Sequence, residues 1–373
     1  MAPLTRRRKK ALAAAPRVID KADRLSQLPP EIQAHILSFL PAQEAVRTCV
    51  LARTWRDREV WKLTRRVLVQ EEDRGFVDRL LRLRLAGLMD HGPIDVCKIA
   101  LDWSDDENED DIRRWIPSVL KCHVQWLQVE FWDDEPPAPT WDVPLVSQHL
   151  TRLELRGLGF CAYRDSGSLL DLSGCPALEH LEITYCDLGH VRKVTSPSVK
   201  RLAIKRCFCK EFRRLQICFP AVVSLCLENF CDNILVLESM PQLVVAYVSI
   251  VDHDSDDDDD DDDSDDDDDE QDITKYMVLQ GLAEAKHLVL LSDYNTITFT
   301  RDLKLCPTYS KLKTLVLNHY WCVSADCSAL ACMLEHAPVL EKLTVLVELK
   351  WLKCFKVHKR IVNVLKFLGT LNI

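Results

Sequence analysis

One six-residue pattern, apolar-x-x-apolar-x-apolar, recurs ten times between Val96 and Val345, and it constrains this chain more than any other feature. Its first instance is Val96-Ile99-Leu101. The middle positions are Ile99, Leu127, Leu153, Leu181, Leu202, Leu225, Ala246, Leu288, Leu315 and Leu343. They are spaced 28, 26, 28, 21, 23, 21, 42, 27 and 28 residues apart. A period of this size means stacked units, none of which buries its own apolar side alone. The outlying spacing of 42 contains an acidic run; without the 21 residues from Asp252 to Asp272 it returns to 21, in phase with its neighbours. The run therefore reads as a loop grown between two units.

Spacings of roughly 20–29 residues are those of leucine-rich repeats, which contribute one strand per unit to a parallel sheet on the concave side. Two units have the fuller form: Leu178-x-x-Leu181-x-Ile183-x-x-Cys186 and Val199-x-x-Leu202-x-Ile204-x-x-Cys207. The terminal cysteine of each is expected to face inward and tie the turn after the strand. Pro176, Pro197, Pro220, Pro241 and Pro338 each stand two residues before the first apolar position of a unit. The expected fold class is α/β: a small helical unit at the N-terminus, then a repeat solenoid.

The helical unit lies at residues 20–65. Pro29 and Pro30 suit the first turn of a helix. Ile32, Ile36, Leu37 and Leu40 form one apolar stripe, and Pro41 ends it. A second helix is expected from Glu44 to Leu51, and a third from Ala52 to Lys62 carrying Trp55 and Trp61. Three short helices bury too little surface to be very stable alone, so their surface apolar residues are interface candidates. Residues 1–19 hold Arg6-Arg-Arg-Lys-Lys and no acid, and read as a disordered basic tail. The basic run matches either a nuclear-import signal or a merely solvated tail; a transit peptide would be Ser-rich, and this stretch has no Ser. Residues 66–93 read as a linker or helical cap, 94–310 as the repeat solenoid with its insert at 252–272, and 311–373 as the terminal repeats.

Composition narrows function. Only 10 of 373 residues are Gly, well under the average of about 7%. Phosphate-cradling loops need glycine for close backbone approach. No GxGxxG, GxxxxGK[ST] or GxSxG occurs, so dinucleotide enzymes, P-loop NTPases and common serine hydrolases are poor candidates. No catalytic residue and no cofactor is expected. No run of eighteen apolar residues and no secretory h-region is present, so no membrane partner is expected. The 16 cysteines read as reduced thiols of a nuclear or cytoplasmic protein. The formal net charge of −10 comes from one segment: residues 252–272 hold seventeen acids, and the remainder has 48 bases against 41 acids.

The segment Asp23-Arg-Leu-Ser-Gln-Leu-Pro-Pro-Glu-Ile-Gln-Ala-His-Ile-Leu-Ser-Phe-Leu-Pro, followed by Ala45-Val-Arg-Thr-Cys-Val-Leu-Ala-Arg-Thr-Trp-Arg and Trp61, resembles the F-box of plant F-box/leucine-rich-repeat proteins. Ala331-Cys-Met-Leu-Glu-His-Ala-Pro-Val-Leu-Glu-Lys-Leu is similar to part of the FBD-type C-terminal module of that family. The resemblance implies the substrate-recognition subunit of an SCF-type ubiquitin ligase. Its F-box docks a Skp-family adaptor, and through it a cullin scaffold; its repeats bind a protein substrate. Leu28, Pro29, Ile32, Leu51 and Trp55 are then the adaptor-facing residues. No direct nucleic-acid binding is expected. The rival reading is a leucine-rich-repeat scaffold that binds a partner without ubiquitylation.

Strand side chains alternate, so residues between the inward apolar positions point to the concave face. The substrate candidates are Trp126, Glu130, Arg152, Arg156, His180, Glu182, Arg201, Lys205 and Tyr247, and later units, with Val289, Leu291, Val316 and Leu346, are more apolar. Lys200, Arg201, Lys205, Arg206, Lys210, Arg213 and Arg214 form a basic cluster that reads either as a reader of acidic or phosphorylated partners or as a solvated edge. The cysteine spacings Cys207-x-Cys209 and Cys322-x4-Cys327-x4-Cys332 do not suit a four-ligand zinc site, so no metal is expected.

Overall fold

The computed structural model describes residues 28–48, 65–70, 73–86, 93–102, 107–132, 140–160, 168–207, 214–231, 234–251, 278–292, 302–322 and 328–346. The chain divides into two compact units, residues 1–66 and 67–373.

In the first unit, α1 runs Pro30–Ser38 with Pro30 as its opening helical residue. Pro29 stands before it at φ −52° and ψ 145°, and its carbonyl accepts the Ile32 and Gln33 N–H groups. The second helix, α2 (Ala42–Arg47), starts two residues earlier than the apolar stripe implies. Pro41 at φ −54° and ψ 149° has the extended geometry of a cap, so the helix begins directly behind it. The expected third helix, carrying Trp55 and Trp61, lies outside the described residues, as do Leu51 at the end of the expected second helix and residues 1–19 and 252–272.

The second unit is built on an eleven-stranded sheet. Its strands in chain order are β1 (Arg66–Val69), β2 (Val96–Asp102), β3 (Trp126–Trp132), β4 (Arg152–Arg156), β6 (His180–Thr184), β8 (Arg201–Lys205), β10 (Ser224–Cys231), β12 (Val245–Val251), β13 (His287–Ser292), β14 (Thr314–Asn318) and β15 (Lys342–Leu346). From β2 onward every neighbouring pair is parallel. The middle apolar positions stand opposite one another in a single row: Leu127, Leu153, Leu181, Leu202, Leu225, Ala246, Leu288, Leu315 and Leu343. All are buried, and each leucine side chain withdrawn from water in this way contributes about 1.5–3 kcal/mol.

The first unit of the repeat departs from its expected register. Cys97, not Ile99, stands opposite Leu127. The inward triple is Ile94-Cys97-Ile99, all three buried, while Val96 is half-exposed. A slip of two residues keeps the same side chains on the same face, so alternation alone does not detect it.

Several units enter their strands by the same route. The Leu178, Val222, Leu243 and Leu340 N–H groups donate to the carbonyls of Cys175, Phe219, Met240 and Ala337, at 3.0, 3.1, 3.0 and 3.3 Å. Pro176, Pro220, Pro241 and Pro338 are the second residues of these turns, where a fixed φ near −65° costs nothing. One carbonyl then accepts two successive N–H groups of the next unit: Thr151 takes Glu179 and His180, Glu179 takes Lys200 and Arg201, and Lys200 takes Val223 and Ser224. The Val244 carbonyl takes Lys286 and His287 in the same way. The ladder therefore continues unbroken across the position of the acidic run, with Ala246 opposite Leu288.

A second sheet lies outside what the repeat pattern specifies. Strands β5 (Ser168–Asp171), β7 (Val191–Thr195), β9 (Arg214–Cys218) and β11 (Ile234–Leu237) pair in parallel and alternate along the chain with β4 to β12. Their buried Val191, Val194, Ile217 and Leu235 supply the other wall of the core. Towards both ends of the unit helices take over this flank. The early pair is α3 (Arg74–Ala86) and α4 (Glu107–Lys121), joined by the Trp115 indole N–H donating to Asp78 at 2.7 Å. The later elements are α5 (Val278–Gly281), a 3-10 turn at Leu303–Leu305 and α6 (Ser328–Glu335). Among the described residues no helix is long and apolar enough to cross a membrane.

The two repeat cysteines face inward as expected. Cys186 and Cys207 are buried, and their thiols lie 3.7 Å from the Leu155 and Ile183 carbonyl oxygens of the preceding strand. Cys175 is buried in the same manner, 3.6 Å from the Leu145 carbonyl.

Candidate functional site

In the N-terminal unit, α1 divides its apolar residues between two environments. Leu37 is 1% exposed, and Ala42 and Ala45 of α2 are fully buried. On the other side Ile32 is 46% exposed and Phe39 59% exposed. Pro29 is exposed and Leu28 half-buried. The buried Gln33 amide donates to the Leu28 carbonyl at 2.8 Å, which fixes the chain entering the helix. Three of the five adaptor candidates, Leu28, Pro29 and Ile32, thus cluster at the start of α1; Leu51 and Trp55 lie outside the described residues. Phe39 is an exposed apolar residue the sequence reading passed over. It falls at the end of the helix, seven residues after Ile32 and on the same face, with its ring edge-on to His35 at 4.7 Å.

In the repeat unit the outward positions of β3 to β10 form a continuous charged and aromatic face. The register aligns Trp126, Arg152, His180, Arg201 and Ser224 in one row, and Gln128, Glu154, Glu182, Ala203 and Cys226 in the next. Tyr247 continues the second row on β12, opposite Cys226. A pocket of about 360 Å³ opens on this face, lined among others by Glu130, Glu154, Arg156, Glu182, Lys205 and Glu228. Glu130, Arg156, Glu182 and Lys205 were expected substrate candidates. Trp126, Arg152, His180 and Arg201 occupy the adjoining row, and Tyr247 is half-buried two strands beyond Lys205.

Acids and bases on this face hold one another from neighbouring strands. Arg156 reaches Glu130 at 3.2 Å, Lys205 reaches Glu182 at 2.8 Å, and Arg206 approaches Glu228 at 4.0 Å. Arg152 pairs with Glu154 on its own strand. Aromatic rings lie between the cations: Lys98 and Arg152 stand 4.5 and 4.6 Å from the Trp126 ring centre, and Arg156 and Arg206 stand 4.8 and 5.5 Å from that of Tyr185. Each such contact is worth about 0.5–2 kcal/mol. Burial, and then the nearby Arg152 charge, hold the His180 imidazole below its ordinary value of 6.5, so it is neutral at pH 7.

Tyr185 and Arg206 also line the pocket; Tyr185 was not expected there, and Arg206 only as a member of the basic cluster. Both follow directly on a strand with a left-handed backbone, φ 52° and 51°. Gly157 (φ 67°) and Asn229 (φ 48°) occupy the equivalent positions of the adjacent units. This turn interrupts the two-residue alternation, so period counting misplaces the side chain that follows it. The basic cluster is partly neutralised. Lys200 pairs with Glu179 at 2.6 Å, and Lys205 and Arg206 are engaged as above. Lys210 and Arg213 lie outside the described residues.

Three buried polar atoms on this face make no hydrogen bond within the described structure: Trp126 Nε1, Gln128 Oε1 and His180 Nε2. Buried groups of this kind are rare, and they offer a donor and acceptors to whatever occupies the face.

Comparison with known proteins agrees with both units. Residues 25–58 match the F-box domain family. An F-box/LRR-repeat protein of Arabidopsis thaliana is 25% identical, over 87% of this chain and 76% of its own length. An FBD-associated F-box protein of the same plant is 29% identical, over 61% of each chain. The MEIOTIC F-BOX protein MOF of Oryza sativa subsp. japonica is 27% identical, over 86% of this chain and 70% of its own. An F-box domain followed by a register of parallel repeat strands, in a chain that matches such proteins along much of its length, makes this chain similar to the plant F-box/leucine-rich-repeat proteins, with FBD-like features.

Proposed function

We propose that this protein is the substrate-recognition subunit of an SCF-type ubiquitin ligase, with no catalytic residues of its own. The F-box at residues 25–58 docks a Skp-family adaptor, which bridges to a cullin scaffold. The observation that carries this reading is the exposed apolar surface of that unit, Ile32 on α1 with Pro29 and Phe39 at its two ends. A protein substrate binds the outward face of β3 to β12, where paired charges and sandwiched rings suit a polar, folded or peptide partner and the Trp126 indole N–H, which makes no hydrogen bond among the described residues, supplies a directional contact. The basic run Arg6 to Lys10 supports action in the nucleus or cytoplasm.

The test is capture of the adaptor by the full-length protein. Ile32→Asp and Phe39→Asp place charges on side chains already in water, so folding is expected to survive. A few central apolar anchors carry most of an interface's energy. Adaptor affinity is expected to fall at least tenfold in the double variant, about 1.4 kcal/mol or more. Unchanged affinity in a folded double variant would leave the scaffold reading in its place.

A further inference from the structure

Cysteine spacing argues against a four-ligand zinc motif, but that spacing is linear, and the structure brings together residues from different repeats. We propose that Cys306, Cys332 and His336 form a binding site for a thiophilic metal ion of the zinc class, clipping the 3-10 turn at Leu303–Leu305 to α6.

The three ligating atoms all lie within 4.8 Å of one another. A tetrahedral zinc ion, with bonds of about 2.3 Å to sulfur and about 2.0–2.1 Å to nitrogen, sets its ligand atoms roughly 3.5–3.8 Å apart. The Cys332 sulfur and His336 Nδ1 are already 3.9 Å apart. Closing the site around an ion therefore needs side-chain adjustments of about an ångström or less. The local chain explains the grouping. Cys332 and His336 are four residues apart at the C-terminal end of α6, one turn above the other on the same face. Cys306 ends the 3-10 turn with ψ 126°, which takes the backbone out of the helical path there. The Cys332 thiol already touches that turn, 3.6 Å from the Leu303 carbonyl oxygen.

The donor set is soft. The thioether of buried Met333 lies 4.0 Å from the Cys306 sulfur, so a fourth position falls to it or to water. Thiolate, thioether and imidazole together select zinc and its thiophilic neighbours over magnesium or calcium. Nδ1 of His336 also lies 2.9 Å from the Cys332 carbonyl oxygen, so ligation through Nδ1 requires the tautomer with its proton on Nε2. A second trio, Glu154, His180 and Glu182, is equally close-set but carries no such proposal, because Arg152 and Lys205 already hold its carboxylates. The proposed site clips the last two repeats of the described sheet, where a solenoid has no further neighbour to stack on.

Cobalt(II) reports on the site directly. Reduced full-length protein, stripped with a chelator, is titrated with cobalt and then with zinc. The expected result is a thiolate-to-cobalt charge-transfer band with tetrahedral d–d bands, bleached by one equivalent of zinc, and a higher melting midpoint in zinc. Cys332→Ser and His336→Gln should each lower affinity at least tenfold, and Cys226→Ser should leave the spectrum alone. His336→Gln keeps the assay decisive if the cysteine variants fail to fold, which circular dichroism will show. Absence of a charge-transfer band in the wild-type protein overturns the proposal. So does a band that survives Cys332→Ser and His336→Gln unchanged, since it then belongs to other thiols.

Discussion

Leu181 and Glu182 are adjacent in the chain and opposite in environment. Leu181 is fully buried between the equivalent leucines of β4 and β8, while the Glu182 side chain is 27% exposed and pairs with Lys205. Leu181→Asp leaves a buried charge without a partner, a cost of about 3–5 kcal/mol. Glu182→Ala loses only a partly screened ion pair, worth about 0–1 kcal/mol. Urea unfolding monitored by circular dichroism should separate the two by several-fold; equal shifts would contradict the observed register. Residue environments of this kind were legible in the sequence wherever strict alternation held. Trp126, Arg152, His180 and Arg201 fall in the row that alternation specifies. Tyr185 was not legible, and Arg206 only as one member of a basic cluster, because the left-handed residue after β6 and after β8 resets the alternation. Phe39 escaped for another reason: it stands at the helix end, seven residues after Ile32 on the same face, and the stripe was counted only over Ile32, Ile36, Leu37 and Leu40.

At the element scale that left-handed position ends β4, β6 and β8, and it recurs inside β10 at Asn229. At Gly157 it is also crowded: a Cβ there would lie 2.6 Å from the Phe131 carbonyl oxygen, a backbone atom of the neighbouring strand. Gly157→Ala combines a disfavoured positive φ with that collision, and is expected to cost about 1–3 kcal/mol. A drop in melting temperature with unchanged secondary-structure content would confirm it; a neutral substitution would mean the turn is not held as described. The first strand of the repeat and the four-stranded second sheet were the elements the sequence did not specify correctly. Ile94-Cys97-Ile99 and Val96-Ile99-Leu101 satisfy the same template two residues apart, and only pairing with β3 chooses between them. Strands such as Ile234-Leu-Val-Leu and Val191-Arg-Lys-Val-Thr are short and share no common pattern, so periodicity had nothing to lock onto.

Across the whole chain, in-phase pairing of β12 with β13 makes the acidic run dispensable to the sheet, whereas α5 with its buried Val278 and Leu279 is not. Deleting Asp252 to Asp272 is expected to shift the melting midpoint by only a few degrees and to leave adaptor capture unchanged, since loop length costs about 0.6 kcal/mol per doubling. A fall of more than about ten degrees, well above the effect of 1 kcal/mol, would show that this segment contributes to the core. The inward thiols have a different consequence. Burial pushes the Cys97 thiol up to about 12 and raises Cys175 as well. Thiolate is the form that reacts, and these groups are protonated at neutral pH while the repeats remain stacked. The thiols of the core are therefore shielded from oxidants and alkylating reagents for as long as the solenoid holds. Their first modification marks the moment a repeat has opened, so the molecule carries its own chemical record of unfolding.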